Sequence, residues 1–225
     1  MKVTYPQNLA IVQARMSSTR FPGKALEAID NRPMLWHVVD RVRMAKGIDA
    51  VMVATTDSPA DDAIAKFCEK EQIPFFRGSE SDVLDRFYQA AKSQHAKNII
   101  RITADCPLID PEVIQQAIAH FESHPCDYAH NTEKYPDGMD AEVFTFHALE
   151  RAWKEATKPS EREHVTPYIR TSGKFQISAV TTPLVSAPLN VHWSVDNPED
   201  LEFVRRIYSA LRTQPGFGLK IGRAS

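Results

Sequence analysis

The first half of the chain alternates short apolar runs with amphipathic stripes, and few architectures accept that rhythm. The strand-like runs are Leu9 to Val12, Ala50 to Thr55, Ile73 to Phe76 and Asn98 to Thr103. Between them lie helical stripes. Met34, Leu35, Val38, Val39 and Val42 form one that stops at Gly47. Ala63, Ile64, Phe67 and Cys68 form another, behind the helix-start signal Ser58-Pro59 with Asp61 and Asp62. Val83, Leu84, Phe87, Tyr88 and Ala91 follow a cap expected at Ser81. Val113, Ile114, Ala117, Ile118 and Phe121 follow Asp110-Pro111. Strand and helix alternating at this spacing predict an α/β fold with a mostly parallel, doubly wound sheet.

After about residue 126 the rhythm loosens. Ala141 to Phe146, Phe175 to Thr181 and Val191 to Val195 read as strands; His147 to Ala156 and Ser160 to Thr171 read as helical. A long helix starts at Asn197-Pro198-Glu199-Asp200 and buries Leu201, Val204, Ile207, Tyr208 and Leu211. The expected organisation is one domain over residues 1–212 and a loosely held tail over 213–225. Residues 126–188 form an excursion that covers a site or makes a dimer contact. With 225 residues, 43% of them hydrophobic, the chain suits one sizeable domain. A net charge of -2 argues against a general nucleic-acid binder. No apolar run approaches the roughly 20 residues of a membrane span, and the start lacks a signal-peptide core. Three cysteines without a C-x-x-C read as reduced thiols of a cytoplasmic protein.

The first apolar run empties into a loop carrying Arg15, Arg20 and Lys24, the hydroxyls of Ser17, Ser18 and Thr19, and Pro22-Gly23. Open α/β sheets place ligands at the carboxyl ends of their strands. Cations and hydroxyls there suit a phosphate chain. The loop is not a P-loop, because Gly23-Lys24 is followed by Ala25 and Ser18 stands where the upstream glycine belongs. Phosphate would be gripped by cationic side chains rather than a glycine cradle.

Two acids occupy matched places. Asp105 follows the strand ending at Thr103, and Asp196 follows Val191 to Val195. If these strands run parallel to the first, both carboxylates emerge beside the cationic loop. One or two carboxylates plus substrate phosphates are what Mg²⁺ prefers. Taken singly, Asp105 also reads as a turn aspartate and Asp196 as a helix cap. Arg77 to Arg86 follows the third strand; Arg86 could face the same edge or pair with Asp82 at i,i+4. Asp140 and Glu142 sit at alternate positions near a strand start, so both can point one way. Arg162 and His164 lie near a helix start. These four are candidates for a second, polyhydroxylated substrate, although Ser160-Glu-Arg-Glu163 also reads as a capping sequence with a solvated charge run.

These motifs resemble a known family. Gln13 to Lys24 is similar to the nucleotide-binding loop of the CMP-sugar synthetases, notably the 3-deoxy-manno-octulosonate (Kdo) cytidylyltransferases. Val195 to Glu202 resembles their metal-binding segment. Arg77 to Arg86, Tyr135 to Val143 and Glu161 to Tyr168 resemble the spore-coat polysaccharide biosynthesis branch. The likeness spans roughly residues 8 to 210 and implies a nucleotide-diphospho-sugar-transferase type of α/β domain. It implies nucleotide contacts from Ala14, Arg15, Ser17, Arg20, Lys24, Arg86 and Thr103, Mg²⁺ on Asp105 and Asp196, and a homodimer. Around the first acid the chain reads Thr103-Ala-Asp-Cys-Pro107 where the Kdo enzymes have Gln-Gly-Asp-Glu-Pro.

The expected reaction moves CMP from CTP to a hydroxyl of an acid sugar or related acceptor and releases pyrophosphate. Arg15, Lys24, Asp105 and Asp196 would carry it. A metal-dependent glycosyltransferase would ordinarily show Asp-x-Asp, which this chain lacks. A non-catalytic nucleotide- or sugar-binding module would bind CTP without turnover.

Overall fold

The computed structural model of the protein describes residues 5–131, 135–180 and 191–211. The expected tail over 213–225 and Thr181 at the end of one expected strand lie outside them.

β1 (Asn8–Gln13) is buried on both faces and sits centrally. After the cationic loop, β2 (Ala28–Ile29) and β3 (Arg32–Pro33) make a small antiparallel ladder ahead of α1 (Met34–Met44). β4 (Ala50–Thr56), α2 (Asp62–Lys70), β5 (Phe75–Gly78), α3 (Val83–Ser93), β6 (Asn98–Thr103) and α4 (Pro111–Ser123) continue the alternation. Then come β7 (Tyr128–His130), β8 (Glu142–Thr145), α5 (Phe146–Glu155), α6 (Pro159–His164), α7 (Pro167–Thr171), β9 (Ile177–Ala179) and α8 (Pro198–Leu211). The sheet has seven strands in the order β5-β4-β1-β6-β8-β7-β9. β5, β4, β1 and β6 run parallel, β8 is antiparallel to β6 and β7, and β9 is parallel to β7.

The period-2 alternation of the strands divides the core. Ala10, Val12, Val51, Val53, Ile100 and Ile102 pack on one face with α1, α4 and α8. Leu9, Ile11, Met52, Ala54 and Ile99 pack on the other with α3, α5 and α7. A one-residue slip of β1 would exchange these sets, so the register is strongly specified.

Several local expectations need correction. Ser81 does not cap α3; Asp82 does, its carboxylate accepting from Asp85 N. The third strand starts at Phe75 rather than Ile73 and runs through Arg77 and Gly78. The helical stretch 160–171 divides into α6 and α7. Val191 to Val195 is not a strand: one isolated bridge pairs His192 with Asp137, outside the strands of the sheet. Gly138 permits that bridge. Its φ is +91°, and a Cβ there would lie 2.6 Å from Ser194 N. The short β7 escaped the sequence reading altogether.

Candidate active site

The carboxyl ends of β1, β4, β5 and β6 share one edge, and the antiparallel β8 brings its amino end there through the Arg101–Glu142 pairing. The cationic loop leaves β1 at this edge and is anchored by a residue absent from the sequence candidates. Asp61 is buried and accepts from Met16 N at 2.7 Å, from Thr55 Oγ1 and Thr56 N at 3.1 Å each, and from Thr56 Oγ1 at 2.5 Å. Its only sequence signal was a place in a helix-start motif. Gly23, at φ +81°, then turns the chain so that Lys24 begins a short 3-10 turn.

Lys24 links the two acids. Its Nζ donates to Asp105 Oδ2 at 2.9 Å, to the Val195 carbonyl at 2.7 Å and to Asp196 Oδ1 at 3.4 Å. Arg20 reaches Asp196 Oδ1 at 2.7 Å from an exposed position. Val195 N donates to the Asp105 carbonyl at 2.8 Å, which brings Asp196 to the edge without a strand beneath it. Burial pushes the Asp105 carboxyl up, but the Lys24 charge and hydrogen bonds outweigh this, so it titrates below the usual range.

Two carboxylates that meet one ammonium converge closely enough to share one cation. As hard oxygen donors they suit Mg²⁺ when phosphates supply further ligands. Among the described residues no group of three or more His, Cys, Asp or Glu side chains could hold a metal ion.

Two cavities open here. The first, about 380 Å³, is lined by Ala14, Arg15, Arg20, Lys24, Thr103, Asp105 and Asp196, with Val83, Glu163 and His164 among the others. The second, about 260 Å³, is lined by Arg101, Asp137, Asp140, Glu142 and Ser194 and shares Thr103, Asp105 and Asp196 with the first. Asp140 is pushed up to about 6, first by burial and then by Asp137 and Glu142. Asp137 Oδ2 lies 2.6 Å from His192 Nδ1 and accepts from Ser194 Oγ at 2.8 Å.

The remaining candidates sit elsewhere or differently. Ser17 Oγ donates to Glu80 Oε1 at 2.7 Å, beside rather than within the first cavity's lining. Arg86 is fully buried behind the edge. Its NH1 donates to the Ser79 carbonyl, while Nε and NH2 have no partner among the described residues. Burial and the nearby Arg15 push its guanidinium down to about 10. It does not pair with the Asp82 side chain, because Arg162 holds both Asp82 oxygens, its Nε at 3.0 Å from each. Arg162 therefore lies outside both cavities, whereas His164 lines the first one rather than the second. Glu142 lines the second cavity but is itself held by Tyr128, Thr166 Oγ1 at 2.8 Å and Arg101 NH1 at 2.6 Å. The sequence reading missed Arg101, Asp137, Glu163 and His192. Burial raises the thiols of Cys68, Cys106 and Cys126, which disfavours the thiolate form.

Comparison with known proteins identifies the family. The family model described as cytidylyltransferase matches residues 9–206. The spore coat polysaccharide biosynthesis protein SpsF of Bacillus subtilis is 34% identical over 214 residues, 92% of this chain and 88% of that protein. An 8-amino-3,8-dideoxy-manno-octulosonate cytidylyltransferase of Shewanella frigidimarina is 37% identical over 131 residues, 57% of this chain and 51% of that one. Among solved structures, a cytidylyltransferase from Leptospira borgpetersenii superposes with a TM-score of 0.84 at 30% identity, covering 91% of this chain and 87% of that one. Among the described residues no helix is long and apolar enough to cross a membrane. The chain belongs to the cytidylyltransferase family, in which CTP is the source of a CMP group.

Proposed function

We propose that the chain moves CMP from CTP to a hydroxyl of an acid sugar or related acceptor, releasing pyrophosphate, for surface polysaccharide assembly in the cytoplasm. One observation carries this reading. A cavity bearing Arg15, Arg20 and Lys24 shares the wall Thr103, Asp105 and Asp196 with a second cavity rich in hydrogen-bonding groups. A nucleotide in the first and a polyhydroxylated acceptor in the second would meet at that wall. The names of the relatives from Bacillus subtilis and Shewanella frigidimarina support a sugar-type acceptor.

In this reading Arg15, Arg20 and Lys24 bind the phosphate oxygens, and Lys24 opposes the charge that develops on departing pyrophosphate. The acceptor hydroxyl attacks the α-phosphorus in line with that leaving group, a step that depends on positioning more than on covalent chemistry. Asp105 and Asp196 would hold Mg²⁺, which supplies charge neutralisation and Lewis acidity at the phosphates. Asp137, Asp140 and Ser194 orient the acceptor, while Glu142 braces their wall. A homodimer through the excursion over 126–188 belongs to the same proposal; Ile177 on the edge strand β9 is exposed there.

The test is pyrophosphate release from the four NTPs with Mg²⁺ against a panel of acid sugars. Release with CTP and one acceptor, abolished in Asp105→Ala, is expected. Silence across the panel sinks the reaction, and near-normal release by the variant sinks the metal assignment.

A further inference from the structure

Residues 162–166 hold a strained turn at the rim of the first cavity. Val165 has φ +70° and ψ -58°, and Thr166 N donates to the His164 carbonyl at 2.8 Å. This is a γ-turn of the rare positive-φ kind, here built on a buried β-branched residue. Such backbone persists only where its surroundings over-determine it, and both flanks are tied. Upstream, Arg162 grips Asp82 with two nitrogens and donates from NH1 to the Trp153 carbonyl at 2.7 Å. Downstream, Thr166 Oγ1 donates to the buried Glu142 at 2.8 Å. Val165 itself is locked into the core on the α3 side of the sheet.

Between the two braces stand Glu163 and His164. Both line the nucleotide cavity, and neither side chain has a hydrogen bond or ion pair among the described residues. The turn thus presents to the cavity two polar side chains that no described residue engages. Their placement says which part of a nucleotide they meet. Lys24, Ala25, Met34 and Asp196 come to the cavity from the α1 and α8 side of the sheet, whereas Val83, Glu163 and His164 come from the α3 side. Lys24 and Arg20, both held at Asp196, draw the triphosphate to the first wall, which leaves the nucleoside for the second. A carboxylate on that second wall would repel phosphate, but it accepts readily from neutral hydroxyls.

We propose that Glu163 and His164 read the nucleoside half of the bound nucleotide, Glu163 accepting from a ribose hydroxyl and His164 contacting the sugar or base. This rests on the cytidylyl-transfer reading for the identity of the ligand.

The experiment is calorimetric titration of wild type, Glu163→Ala and His164→Ala with CTP, its 2′- and 3′-deoxy analogues, and inorganic triphosphate. Both substituted side chains are exposed, so the variants keep the fold. Glu163→Ala is expected to weaken CTP about tenfold, the scale of one hydrogen bond to a charged group. That loss should vanish for the analogue lacking the hydroxyl it reads. His164→Ala is expected to weaken CTP about tenfold while leaving inorganic triphosphate unchanged. Unchanged CTP affinity in both variants overturns the proposal. So does equal weakening of CTP and both deoxy analogues in Glu163→Ala, or of CTP and inorganic triphosphate in His164→Ala. Because binding is read rather than turnover, a wild type that binds CTP but releases no pyrophosphate counts only against the transfer reaction.

Discussion

Lys24 Nζ lies 2.9 Å from Asp105 Oδ2, across 81 positions of sequence, and so ties the cationic loop to the acid after β6. The same ammonium reaches Asp196 and the Val195 carbonyl. Removing it leaves two carboxylates facing each other and, in the proposed reaction, withdraws a cation from the phosphates. Lys24→Met is therefore expected to lower kcat/KM for CTP by roughly 100- to 1000-fold, the usual cost of one preorganised charge-stabilising donor. Steady-state pyrophosphate release checks this; a loss below about fivefold would show that Lys24 only holds the acids together.

Asp61 offers a separate handle on the loop. Four donors converge on its carboxylate, among them Met16 N. Asp61→Ala strands these groups in a buried setting and is expected to cost about 3 kcal/mol of stability. It should also raise KM for CTP about tenfold, because the loop between Arg15 and Lys24 loses its anchor. Urea unfolding and a CTP titration read the two effects independently. A stability loss with unchanged KM would restrict Asp61 to the fold.

What could be read from the sequence depended on range. Asp110 and Asn197 announce their helices through local capping, and the structure shows both caps made, to Glu112 N and Asp200 N. The strands Ala50 to Thr55 and Asn98 to Thr103 are long enough for their apolar patterns to speak. β7 has three residues and exists only because β8 and β9 flank it, a pairing that no local pattern carries. Val191 to Val195 has the composition of a strand, yet its backbone is taken by Asp137 and Asp105, which deliver Asp196 to Lys24. At the site, Asp105 and the cationic loop were visible because they follow strands whose topology sends them to one edge, whereas Asp196 was read from a strand that does not form. Asp61, Arg101 and Glu163 owe their places to tertiary contacts and gave no such signal.

Arg162 separates a structural role from acceptor binding. It sits on Asp82, which also caps α3, and both side chains are partly buried. Asp82→Ala removes a cap worth about 1 kcal/mol together with a bidentate pair of similar or greater weight. A loss of about 2 kcal/mol in urea unfolding is expected, with KM for the acceptor unchanged. A raised acceptor KM would return Arg162 to the second cavity.

Asp140 makes the pH dependence specific. Burial, followed by the charges of Asp137 and Glu142, pushes its carboxyl up to about 6. In the unfolded chain the group has its ordinary value near 3.9. Between these values the folded state binds the extra proton, so Asp140 makes stability fall as pH rises from about 4 to 6. The ionised carboxylate then remains a destabilising group at neutral pH. Asp140→Asn abolishes that ionisation. The variant is expected to gain about 1–2 kcal/mol over wild type at pH 7.5 and nothing at pH 4, with solvent exposure reducing the full linkage value. Urea unfolding at the two pH values checks the sign. If Asp140 also orients the acceptor, the same variant loses turnover while gaining stability, the trade-off expected of a polar group retained for function. An Asn variant destabilised at pH 7.5 would mean that the ionised carboxylate finds compensating partners at the second cavity, and the raised pKa would have to be abandoned.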